Sequence, residues 1–252
     1  MKLPRASNIL ITRPKVFCQE FAAKITRSGF NPVVFPMIET IPVDLSEENA
    51  HTIDTLSQFD WIIFSSRNAV RFFFEYISNH EVCISSELKM ACIGQITHEE
   101  LQNLGYEADF VPETFSTQGF LNEFSDSASK VLIPSSEIAP DVMADQLEKA
   151  GHKVKRLNMY HTRAIKYAKD ELKKVLEQGL DFITFTSNSS IDAFFKTNEA
   201  NEYLSGNEVF IGIGPATFGA LQNQKLKSVY MAKPHTMDGI IDQIKELTIQ
   251  QI

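Results

Sequence analysis

The sequence predicts an α/β fold with parallel sheets, built from a unit that occurs twice. Three observations carry this. Residues 60–74 read DWIIFSSRNAVRFFF and residues 181–195 read DFITFTSNSSIDAFF, an offset of 121 from Asp60 to Asp181. Three further segments repeat at nearly the same offset: Gly94…Thr97 answers Gly214…Thr217, Ser116-Thr-Gln-Gly119 answers Thr236-Met-Asp-Gly239, and residues 8–40 align with 130–162. Finally, short apolar runs alternate with helical patterns, as in parallel sheets covered by helices on both faces. The period exceeds the roughly 20–50 residues of a solenoid repeat, so it marks a duplicated domain. A ligand site between the two halves is the expectation for such a chain.

The elements follow in order. Asn8, Leu10 and Ile11 form a short apolar run, then Arg13-Pro14 turns the chain. A helix is expected over 16–28, with Phe17, Phe21 and Ile25 on one face and Gly29 as its stop. Residues 31–35 read as the next strand. The continuous apolar run 61–64 suits a strand buried on both faces, and Ser65-Ser66 cap a helix through Ile77. A strand at 90–93, a helix over 97–104 ending at Gly105, a short strand closed by Val111 and a helix over 117–124 complete the first half. The second half reads 131–133, 141–150, 154–157, 182–185, 189–195, 209–212, 215–222 and 237–247 in the same alternation. Residues 199–207 are the expected exposed loop, and the polar stretch 125–129 joins the repeats.

Composition bounds the function. The chain has 252 residues, 43% of them hydrophobic, with a mean hydropathy of −0.14. Its net charge of −8 argues against a nucleic-acid binder, which needs a basic surface. An anionic ligand would have to be held locally, by backbone N–H groups and hydroxyls. The opening residues MKLPRASNILITRP lack an apolar h-region, so no signal peptide is expected, and no run approaches the ~18 apolar residues of a membrane span. Cys18, Cys83 and Cys92 are unpatterned, which fits a reduced, cytoplasmic setting.

In parallel α/β folds, ligands bind beyond the carboxyl ends of the strands. Here those ends carry hydroxyls: Thr12-Arg13, Ser65-Ser66-Arg67-Asn68, Thr97, Ser135-Ser136, Thr186-Ser187-Asn188-Ser189 and Thr217, with Ser116-Thr117 and Thr236 opening the last helices. Each lies at a helix N-terminus, where free N–H groups and the positive dipole end favour anions. Any one of them also makes an ordinary helix cap; the set makes a wall of donors suited to several carboxylates. Gly212-Ile-Gly214-Pro-Ala-Thr217 falls short of a dinucleotide fingerprint, because Thr217 replaces the third glycine and the motif lies late in the chain. None of the six histidines has metal-ligand spacing, so no metal is expected. No G-x-S-x-G nucleophile occurs. Tyr160 stands where the aligned repeat has Ile38. It reads equally as a half-buried core tyrosine and as a site residue.

The ordered motifs resemble one family. They are Ile11-Thr-Arg-Pro14, Phe64-Ser-Ser-Arg-Asn-Ala-Val70, Gly94…Thr97 with Leu104-Gly105, Ser116-Thr-Gln-Gly-Phe-Leu121, Met159-Tyr-His-Thr162, Phe185-Thr-Ser-Asn-Ser-Ser190, Ile213-Gly-Pro-Ala-Thr217 and Thr236…Gly239. Over nearly its whole length the chain is similar to uroporphyrinogen-III synthase. The resemblance implies two flavodoxin-like lobes, each a doubly wound parallel sheet, joined by a two-stranded ladder that acts as a hinge. Lobe one would be residues 1–35 plus 164–252, lobe two 40–159, and the ladder 36–39 against 160–163. The implied reaction closes hydroxymethylbilane to uroporphyrinogen III with ring D inversion and loss of water, through a spiro intermediate and without a cofactor. A monomer is expected, because the two lobes already supply the cleft, and neither a nucleic-acid nor a membrane partner is expected from the charge and hydropathy above. Tyr160 would assist departure of the hydroxyl. Arg13, Ser65, Ser66, Thr97, Ser116, Ser187 and Thr217 would contact substrate carboxylates, although Arg13 also reads as a packing residue beside Pro14. Lys225 stands where Gly105 predicts a glycine, a change confined to a helix end. The same fold also accommodates an anion-binding protein without catalysis, or a paralogue that has lost the activity. In the first of these, Tyr160 would be dispensable.

Overall fold

The computed structural model describes residues 6–139 and 141–250. Residues 1–5 and 251–252, which the sequence reading counts within lobe one, lie outside the described residues. The chain forms two compact units, Met1–Thr40 with Thr162–Ile252 and Ile41–His161.

The first unit is a five-stranded parallel sheet. It contains β1 (Asn8–Ile11), β2 (Asn31–Val34), β8 (Phe182–Phe185), β9 (Val209–Gly212) and β10 (Val229–Met231), in the spatial order β10-β9-β8-β1-β2. Counted within the unit, that is the doubly wound order of flavodoxin-like sheets. The pleat sends alternate residues to opposite faces. Leu10, Ile183, Phe185 and Phe210 enter one core, and Ile9, Ile11, Phe182, Val209 and Ile211 the other. Helix α1 (Cys18–Arg27) and helix α10 (Met237–Gln250) cover the second face, through Phe21, Ile25, Ile240 and Ile244.

A second five-stranded sheet contains β3 (Ile38–Pro42), β4 (Trp61–Phe64), β5 (Lys89–Cys92), β6 (Lys130–Ser136) and β7 (Lys153–Ala164), in the order β3-β7-β6-β4-β5. Strands β7, β6, β4 and β5 are parallel and repeat the order of the first sheet. Each sheet thus joins the first two strands of one repeat to the later strands of the other. Helix α3 (Arg67–Asn79) buries Val70, Phe73, Phe74 and Ile77 on one face of this sheet. Helices α5 (Thr117–Glu123) and α6 (Val142–Lys149) cover the other through Phe120, Met143 and Leu147.

Several local expectations need correction. The helix expected over 16–28 begins at Cys18, after one 3-10 turn at Lys15–Phe17. The strand expected to close at Val111 is only an isolated bridge from Ala91 to Phe110; Pro112 follows and cannot donate to a ladder. The expected loop 199–207 contains a 3-10 turn, Ala200–Glu202, with Ala200 buried. Three further elements lie in stretches that the sequence reading left unassigned: α2 (Glu47–Asp54), α7 (Lys169–Leu176) and β10. The α2 segment is polar and carries few apolar residues, so the periodicity that marks a helix is faint, whereas α7 does show it in Leu172, Val175 and Leu176. Strand β7 runs for 12 residues where separate short strands were expected. Lys225 adopts φ +56, the left-handed backbone that Gly105 adopts at φ +87. The glycine position is therefore kept without the glycine.

The repeated S/T-x-x-G motif has a structural reason. Ser116 caps α5 by accepting from Gly119 N–H at 3.0 Å, and Thr236 accepts from Gly239 N–H at 3.1 Å. The loop before each cap folds back on the glycine. A Cβ at Gly119 would lie 2.2 Å from the Thr114 carbonyl oxygen, and one at Gly239 would lie 1.9 Å from that of Pro234. Only glycine admits that approach.

Candidate active site

Strand β7 places the main candidate. Up to Asn158 it pairs with β6 in even register, but Ser136 then faces Tyr160 instead of Met159. One extra residue on β7 is a bulge, which re-aims the side chains that follow it. Leu157, Met159 and Tyr160 consequently all join the core cluster under α3. Strict alternation would have sent Tyr160 to the opposite face, with Arg156 and Asn158.

Turned this way, the Tyr160 ring is 6% exposed and stacks on Phe72 at 5.0 Å between centroids. The Arg71 guanidinium lies 4.6 Å from the Phe72 ring centre, a cation–π contact on the same ring that stacks with Tyr160. The Tyr160 hydroxyl meets Ser66 Oγ at 3.1 Å, and either can donate. Ser66 Oγ also accepts from Ala69 N–H at 3.2 Å, which caps α3. One serine thereby connects the phenol to a helix N-terminus.

Ser65 precedes Ser66 and serves the opposite side of the sheet. It is exposed and lines a cavity of about 220 Å³ with Ile93, Thr117, Ile133, Ser135, Val142, Met143 and Arg156. The other candidates in this unit lie at helix N-termini. Ser116 caps α5. Thr97, only 6% exposed, sits in the first turn of α4 (Gln95–Asn103) behind Gly94, with its N–H on the Gly94 carbonyl.

In the other unit, Ser187 caps α8 (Asn188–Asp192), accepting from Ser190 N–H, and exchanges hydrogen bonds with Ser189 and Ser190. Thr217, 4% exposed, closes a capping box at α9 (Pro215–Gln222). It donates to the Gly214 carbonyl at 2.9 Å and accepts from Gly214 N–H at 3.0 Å. Arg13 is 7% exposed, lies over the Phe17 ring at 5.5 Å and donates to Met237 Sδ at 3.1 Å. Beside it, burial pushes the Cys18 thiol up to about 11, with the Arg13 charge acting against that rise.

The structure therefore brings Tyr160, Ser66 and Ser65 to one edge of the second unit's sheet. It shows Ser116, Ser187 and Thr217 in helix-capping geometry, and Thr97 buried in the first turn of α4. Sequence reasoning missed Phe72, Arg71 and Arg156. For Arg156 a signal existed: the aligned residue of the first repeat is Val34, a contrast of the same kind as Tyr160 with Ile38. Among the described residues, no group of three or more His, Cys, Asp or Glu side chains could hold a metal ion.

Comparison with known proteins gives these features a family. The model of the family described as uroporphyrinogen-III synthase HemD matches residues 19–242. The chain belongs to the uroporphyrinogen-III synthase family. That is the family its motifs resemble, a family of cyclising lyases that act on a tetrapyrrole in porphyrin and haem biosynthesis. The porphyrin biosynthesis protein HemD of Ruminiclostridium josui is 30% identical over 98% of this chain, which spans only 50% of that relative's length. A putative uroporphyrinogen-III synthase of Methanocaldococcus jannaschii is 27% identical, over 95% of this chain and 98% of its own. The crystal structure of uroporphyrinogen-III synthetase from Helicobacter pylori 26695 superposes with a TM-score of 0.65 at 17% identity, covering 96% of this chain and all of that one. That likeness supports the fold. No helix among the described residues is long and apolar enough to cross a membrane.

Proposed function

We propose that this chain is itself a working synthase, closing hydroxymethylbilane to uroporphyrinogen III with ring D inverted and one water lost. The observation that carries the reading beyond family membership is the Tyr160–Ser66 pair, aimed by the β7 bulge and anchored on the N-terminus of α3. The electron-rich pyrrole expels the bilane hydroxyl, and Tyr160 donates a hydrogen bond or its proton to that leaving oxygen. Ser66 can donate its shared hydrogen bond to the phenolate oxygen and so stabilise the charge left when the proton departs. The azafulvene so formed is attacked by the substituted carbon of ring D. The resulting spiro intermediate fragments and recloses. No cofactor takes part. The protein's larger contribution is orientation, since unassisted closure gives the other isomer.

The hydroxyls and helix N-termini on the carboxyl edges of both sheets suit the substrate's eight carboxylates without a basic surface. Ser65, Ser66 and Ser116 would serve from one unit, and Arg13, Ser187, Thr97 and Thr217 complete the candidate set. In this reading 1–35 plus 164–252 and 40–159 act as lobes, 36–39 and 160–163 as their hinge, and the protein works as a cytoplasmic monomer with no nucleic-acid partner.

Tyr160→Phe tests the chemical role. It removes the hydroxyl and keeps the ring that stacks on Phe72. We expect kcat/KM to fall by roughly one to three orders of magnitude, with the fold intact. Ser66→Ala should reproduce part of that loss. Unchanged kcat/KM in Tyr160→Phe would remove the phenol from the mechanism.

A further inference from the structure

The cavity beside Ser65 contains a cation that the wall of hydroxyls does not explain. Arg156 lies on β7, in register with Ile133. Its Nη2 donates to the Ala139 carbonyl at 3.0 Å, to Ser135 Oγ at 3.3 Å and to the Ser136 carbonyl at 3.5 Å. Its Nη1 is paired with the Asp141 carboxylate. The Arg156 side chain is 22% exposed while that of Asp141 is 66% exposed, so the guanidinium is fixed in the wall and its anionic partner stands towards solvent. The polar lining groups beside it are Ser65, Thr117 and Ser135, and Ile93, Ile133 and Met143 supply apolar walls. A guanidinium, hydroxyls and an apolar sleeve form a binding site for a carboxylate on a short alkyl arm. The cavity's 220 Å³ is several times the ~30 Å³ share of one water, room enough for such an arm.

The place of the cavity ties it to the candidate active site. Ser65 and Ser66 are adjacent at the end of β4, the first lining the cavity and the second bonded to Tyr160. Arg156 precedes Tyr160 by four residues on one strand, a separation of roughly 13 Å.

We infer that Arg156 binds one carboxylate arm of the tetrapyrrole in this cavity, and that Asp141 occupies the guanidinium in its absence. The inference rests on the synthase reading for the identity of the ligand. An intramolecular carboxylate already seated on Nη1 shows that the group accepts a carboxylate. On binding, one carboxylate replaces another, and the half-buried guanidinium is never left without an anion. Asp141 thus acts as a competitor with a definite sign of effect.

The test combines turnover with equilibrium binding. Arg156→Gln should raise KM for hydroxymethylbilane roughly 10- to 100-fold, the range for loss of a hydrogen bond to a charged group, with a smaller change in kcat. Arg156→Lys should recover part of that. Asp141→Asn should move KM the other way, lowering it by up to about fivefold, as expected for removing an exposed ion-pair partner. Circular dichroism and urea midpoints establish that the variants fold. Fluorescence titration with the octacarboxylate uroporphyrin III gives a readout independent of turnover, and should rank the variants in the same order. If the wild-type protein forms isomer III while Arg156→Gln keeps its KM and its uroporphyrin affinity, the carboxylate site is wrong and the synthase reading stands. If turnover is absent but uroporphyrin affinity depends on Arg156 and Asp141 as described, the site stands and the synthase reading fails. If Arg156→Gln and Asp141→Asn weaken binding and stability alike, the pair is a structural clasp and the inference is overturned.

Discussion

Gly119 and Gly239 show what the repeated residues are for. Each donates its N–H to a capping hydroxyl, and each is met by a loop carbonyl at a distance that no Cβ tolerates. Gly119→Ala should therefore cost about 1–3 kcal/mol, the range for an overpacked core. Gly219, inside α9, has nothing within 4 Å of an added Cβ. Gly219→Ala should add about 0.5–1 kcal/mol, because glycine is the poorer helix former. Urea unfolding of the two variants checks both signs; equal effects would mean that the loop carbonyl is free to move. The motif was plain in the sequence, but its cause was not, because the clash involves a backbone atom that no residue pattern marks. Tyr160 was found from sequence because it departs from its aligned partner. Arg156 departs from Val34 in the same way and was overlooked, because no motif surrounds it.

At the scale of elements, the strands and helices with strong apolar patterns were legible. Strands Phe182–Phe185 and Val209–Gly212 and helix Pro215–Gln222 have the limits read from sequence. The bulge in β7 was not legible, since an extra residue appears only when a strand is laid against its neighbour. It is nonetheless the feature that carries Tyr160 to Ser66 and Phe72. The same packing buries groups that titrate at high pH. Cys18 in α1 is pushed up to about 11, Cys92 in β5 to about 12, and Tyr167, whose hydroxyl donates to the Pro36 carbonyl at 2.6 Å, also to about 12, each mainly by desolvation. These groups are neutral when protonated, and the folded chain holds their protons more tightly than the unfolded chain does. Their contribution is complete below the ordinary values of 9.0 for the thiols and 10.0 for the phenol, and is lost as pH rises through the raised ones. Urea midpoints should thus fall between pH 9 and pH 12. A flat midpoint across that window would show that these groups are solvated in the folded state.

For the whole molecule, the duplication and the exchange of strands between repeats explain why the chemistry is spread thinly. Two sheets of one topology each present a carboxyl edge of caps and hydroxyls, and the second adds Tyr160 and the Arg156 cavity. The family was legible from sequence through the order and spacing of weak motifs, and the proposed reaction, governed by orientation, needs few reactive groups. The central claim is that this arrangement turns the bilane towards the inverted product. The most direct measurement generates hydroxymethylbilane in the presence of the protein, oxidises the products and separates the isomers by chromatography. Predominant isomer III, in proportion to protein added, is the predicted result. Isomer I alone, from protein shown to be folded, would contradict it.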